Sequence, residues 1–73
     1  MDDEARDEER GDLLSQLFAL LTCKLEDAAG LAAECQGRRP EPELIEGASR
    51  IAELAGEVAT ISAAVAVLLG TTG

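Results

Sequence analysis

The chain has 73 residues, with 15 acids against six Lys and Arg, no histidine, one aromatic residue (Phe18) and a formal charge of −9. That size allows one small domain in a range where a lone core supplies little net stability. The charge argues against nucleic-acid binding, which needs a basic face, and against adsorption to anionic lipid. Alanine and leucine dominate the apolar content, a composition that suits helices and suits sheets poorly.

Residues 1–11 begin "MDDEARDEER", six acids and two arginines without a large apolar side chain beyond Met1. This reads as a flexible acidic N-terminal arm. It lacks the basic-then-apolar layout of a signal peptide. Asp7, Glu8, Glu9 and Asp12 favour a helix start nearby, since negative charge suits a helix N-terminus.

A first helix is expected over about 12–36. Leu14, Phe18, Leu21, Leu25, Ala28, Ala32 and Cys35 alternate spacings of four and three, an apolar heptad stripe. Leu13, Leu17, Leu20 and Leu31 widen the apolar surface beyond that stripe. Gly37 is placed to end the helix in a left-handed cap, and residues 37–41 supply the turn. Pro42 fits the first turn of a second helix, with Glu41, Glu43 and Glu46 at the end where the helix dipole favours acids.

The second helix is expected over about 42–69, followed by Gly70 as terminator and a short tail at 71–73. Leu44, Ile51, Val58 and Val65 form one heptad set, and Gly47, Leu54, Ile61 and Leu68 the other. β-Branched residues at most positions of the first set and Leu or Ile in the second are what close helix–helix seams select. The uncharged stretch Val58–Leu69 spans about 18 Å of helix against about 30 Å of bilayer core. It therefore reads as a surrounded helix, and no membrane partner is expected.

The two stripes predict an all-α fold, an antiparallel helical hairpin over 12–70. Layer by layer, Cys35 is expected to meet Leu44, Ala32 to meet Gly47, Ala28 to meet Ile51 and Leu25 to meet Leu54. Leu21 then meets Val58, Phe18 meets Ile61, and Leu14 meets Val65. A second stripe on helix 2, Ala48, Ala52, Ala55, Ala59, Ser62 and Ala66, would stay outside this seam. Together with Leu13, Leu17, Leu20, Leu31 and Leu69 it forms the expected oligomer interface, because soluble monomers seldom expose such a patch. The expected assembly is a homodimeric four-helix bundle, with a helix of another protein as the alternative occupant. In general architecture, though in no motif, this is similar to the small hairpin dimers of the Rop type. The RNA binding of that type needs a basic face that this chain lacks.

Residue types for chemistry are sparse. Without histidine the commonest general base and transition-metal ligand are missing. Cys23 and Cys35 lie about 18 Å apart along one helix, too far for a disulfide, and their spacing matches no metal motif. Cys23 reads as a surface or interface thiol, with modification as the alternative, and Cys35 as a small apolar residue of the seam. Glu53 and Glu57 share a helix face but flank the seam, without the Glu-x-x-His pairs of bundle metal sites. Glu46–Arg50 and Glu34–Arg38 are expected i,i+4 ion pairs. Arg38 and Arg39 read as a solvated turn. No catalytic, cofactor, metal or small-molecule site is expected. The function expected is a cytoplasmic, non-enzymatic adaptor or regulator; alternatives are an obligate subunit or chaperone-like partner of a helical protein, or an acidic mimic docking a basic partner.

Overall fold

The computed structural model describes residues 2–70, and the side chains of residues 8–70. It consists of two helices, α1 (Asp2–Cys35) and α2 (Glu41–Leu69), packed side by side as an antiparallel hairpin. The expected tail at 71–73 lies outside the described residues. The hairpin measures 59 × 22 × 12 Å, so it is one helix layer thick. Its radius of gyration is 16.9 Å, whereas a compact domain of this length would have about 11 Å.

Helix α1 begins at Asp2, well before the expected start at Asp12, so the segment read as an arm is helical. Glu, Ala and Arg are strong helix formers, and acids are favoured in the first turns of a helix. Arg10 ties this segment to the far end of α2. Its Nε and Nη2 donate to the Leu68 carbonyl at 2.9 and 2.5 Å. That carbonyl is one of the orphan acceptors of a helix C-terminus. Gly70, in the left-handed conformation (φ 71°), turns its N–H back to the Ala66 and Val67 carbonyls. The last turn of α2 has no basic residue of its own, so Arg10 supplies the cation from the neighbouring helix.

At the hairpin's closed end, α1 stops through tightened turns in which Gln36 and Gly37 donate to the Ala33 and Glu34 carbonyls. Arg39 Nε donates to the Glu34 carbonyl at 3.0 Å. Among the described residues only Gly70 has positive φ, so Gly37 does not form the expected left-handed cap. Arginine and the tightened turn satisfy the carbonyls that such a cap would have served. Pro40 starts α2, its carbonyl accepting from the Glu43 and Leu44 N–H groups, and Pro42 sits in the first turn, where no N–H is needed.

The seam on α2 follows both expected sets, with Gly47, Leu54 and Val65 buried and Leu44, Ile51, Val58, Ile61 and Leu68 half-buried. On α1 the inward stripe is Leu14, Leu17, Leu21, Lys24, Ala28, Leu31 and Cys35. Leu14, Leu21, Ala28 and Cys35 sit where expected. Phe18, Leu25 and Ala32 do not: Phe18 is 52% and Leu25 53% exposed, and Ala32 is also exposed. Leu17 and Leu31, expected outside, turn inward in their place. The layers that paired Phe18 with Ile61, Leu25 with Leu54 and Ala32 with Gly47 are therefore absent.

Two contacts account for this rotation. Lys24 lies in the seam with its stem half-buried, and its Nζ reaches Glu57 Oε2 at 3.2 Å, a disposition in which the methylenes cover apolar surface and the ammonium stays at the rim. At the narrow end, Cys35 packs against Gly47, where an added Cβ would stand 2.5 Å from the Cys35 Sγ. Gly47 is thus required by close helix approach, since it is helical and needs no unusual backbone.

Gly47→Ala and Cys35→Ala should therefore couple. Gly-to-Ala normally stabilises a helix by about 1 kcal/mol, but overpacking the Cys35 thiol offsets this by about 1–2 kcal/mol. Urea denaturation of the two single variants and the double variant should show alanine at 47 beneficial only when Cys35 is removed. Separately, Arg10→Met should lower stability by about 0.5–1 kcal/mol. Hydrogen exchange should show the loss as faster exchange in the last turn of α2.

Candidate functional site

Because the hairpin is a single layer, each helix has one stripe in the seam and leaves its flanks to two broad faces. Their chemistry differs sharply. One face carries Asp27 and Glu34 of α1 beside Glu43, Glu46, Arg50, Glu53 and Glu57 of α2; Glu34, Glu43 and Arg50 line a common shallow groove there. Two ion pairs lie on this side, Lys24–Glu57 at 3.2 Å and Arg50–Glu53 at 3.1 Å. The expected pairs Glu46–Arg50 and Glu34–Arg38 do not form. Arg50 selects the carboxylate at i+3, and Arg39 caps the Glu34 carbonyl while approaching Glu43 at 3.9 Å.

The opposite face is uncharged from Gly11 to Ala32 on α1 and from Ile45 to Leu69 on α2. On α1 it presents Phe18, Leu25 and Ala32, flanked by Ser15, Thr22 and Ala29, all exposed. On α2 it presents the small-residue stripe Ala48, Ala52, Ala55, Ala59 and Ser62, all exposed, with Ala66 half-buried. Large exposed residues close both ends of that stripe, Ile45 at 59% and Leu69 at 45%. The Thr22 hydroxyl donates to the Phe18 carbonyl at 3.0 Å, so it already has a partner if water leaves this face.

The expected interface is thus partly rearranged. Its α2 residues are together on the uncharged face. Leu17 and Leu31 belong to the seam, while Leu13 and Leu20 are exposed on the charged side. On α1 the large side chains exposed on the uncharged face are Phe18 and Leu25. Charge on the flanks was the available signal: the positions beside Leu20 lead on to Asp27 and Glu34, whereas those beside Phe18 and Leu25 are Ser, Thr and Ala.

The total accessible surface is 5530 Å², against about 4,300 Å² for a compact monomer of this mass. Among the described residues only Leu21, Leu54 and Val65 are buried apolar side chains. Helix α2 is also long and apolar enough to cross a bilayer by length and composition, with a mean hydropathy of 1.7 in its most apolar window. Among the described residues no three Cys, Asp or Glu side chains converge as a metal would require, and Cys23 and Cys35 are free thiols, the first exposed and the second half-buried.

The fold and this face define a two-helix antiparallel hairpin with one charged and one uncharged broad side. No protein-family model, curated protein or solved structure matches the chain.

Lys24 gives a direct probe of the rotated seam. Lys24→Leu should leave stability unchanged or raise it, because an apolar side chain replaces an ion pair of small net value. Lys24→Glu should lower stability by about 1–2 kcal/mol by setting a carboxylate against Glu57. Thermal unfolding followed by circular dichroism distinguishes the two; equal effects would contradict an inward Lys24.

Proposed function

We propose that this protein is a non-enzymatic interaction module, a small homo-oligomeric helical adaptor or regulator acting in the cytoplasm. The observation that carries this reading is the uncharged face, on which Phe18 and Leu25 stand exposed beside the alanine stripe of α2. A contiguous apolar surface of this length on a thin hairpin is the kind that association covers. The free thiols suit a reducing compartment. The residue types supply no histidine for acid–base or metal chemistry.

Light scattering on the purified chain at micromolar concentration should report twice the chain mass. A stably folded monomer would overturn self-association and leave a helix of another protein as the occupant. The apolarity of α2 favours a second reading, in which this helix associates with a bilayer. Flotation with neutral vesicles separates the two: the adaptor stays in the dense fraction, and a membrane helix rises with the lipid.

A further inference from the structure

We infer that the uncharged face binds a second copy of this chain in a twofold arrangement with the two hairpin turns at opposite ends. The inference rests on the self-association proposed above and adds which face is used and which way the copies run.

Area comes first. The hairpin exposes about 1,200 Å² more than a compact monomer of its mass. A standard interface removes about 800 Å² from each partner, so one such contact accounts for most of the excess. The charged face is disfavoured, because two copies would each bring Asp27, Glu34, Glu43, Glu46, Glu53 and Glu57, with Lys24 and Arg50 to offset them, to the same surface. The uncharged face brings none.

Shape allows two face-to-face orders. With turns at the same end, α1 of each copy lies on α2 of the other. With turns at opposite ends, α1 lies on α1 and α2 on α2. A twofold axis level with Thr22 and Ala59 gives the second order a register that uses every large residue of the central face. Phe18 then meets Leu25 of the second copy. On α2, Leu69 meets Ala48 and Ser62 meets Ala55, with Ala59 beside the axis, so large stands on small and the backbones can approach to about 8 Å.

Electrostatics chooses between them. The first twelve residues hold seven acids and two arginines, a net −5 of the chain's −9. Turns at the same end would gather both such segments at one end of the assembly. Turns at opposite ends separate them by about 50 Å, several Debye lengths at physiological salt. The same register sets the Arg38–Arg39 turn of each copy level with the acidic start of α1 of the other, replacing repulsion by attraction.

The test uses the full chain with Cys23→Ser and Cys35→Ala. A spin label at Gly37→Cys, placed in the turn without altering Arg38 or Arg39, should give an intermolecular distance of about 45–50 Å, from 1.5 Å rise per residue along α1. A distance under about 25 Å overturns the orientation while leaving self-association intact. Sedimentation should show Leu25→Glu monomeric and Leu20→Glu, on the charged face, dimeric, with circular dichroism confirming helix in both. The reverse result overturns the choice of face. A parent chain that is itself monomeric overturns the self-association on which the inference depends.

Discussion

A hairpin of two helices forms one layer, and one layer can bury only one stripe from each helix. Every other feature follows from that limit. The 12 Å thickness leaves both broad faces in contact with solvent, and only three large apolar side chains among the described residues are buried. Domains normally bury their apolar stripes between two layers. Here the second layer is absent from a single chain, so the chemistry of the faces determines what the molecule can do. One face is committed to water by its carboxylates and ion pairs. The other carries no charge, and its polar side chains are the hydroxyls of Ser15, Thr22 and Ser62.

Within the layer, stability comes from devices at the ends and rim as much as from the seam. Arg10 and Arg39 each turn a guanidinium onto a terminal carbonyl, Leu68 and Glu34 respectively. The two arginines thereby serve opposite ends of the hairpin, where helix dipoles favour positive charge. Gly47 lets Cys35 approach closely at the narrow end, and Lys24 bridges to Glu57 further along. Both of these contacts lie away from Phe18 and Leu25 on the uncharged face.

Much of the architecture was legible in heptad spacing. The α2 seam stood out because its flanks are alanine and charge, so only one stripe of large residues was available. Helix α1 was harder to read, since Leu13, Leu14, Leu17, Phe18, Leu20 and Leu21 give three adjacent apolar stripes. Spacing alone does not choose among them, and one of the stripes includes Lys24. Its long stem lies in the seam while its ammonium reaches Glu57 on the other helix. Arg10 was equally hard to anticipate, because its acceptor lies 58 residues away.

By itself the sequence determined two helices, their turn, the antiparallel order and the small-residue stripe of α2. Those depend on local propensity, proline placement and periodicity, all carried by neighbouring residues. Only the tertiary structure decided the rotation of α1 about its axis. That rotation depends on pairwise fit between the helices, with Lys24 against Glu57 and Cys35 against Gly47. It moved Phe18 and Leu25 from the seam to the open face, and so decided which surface this protein offers.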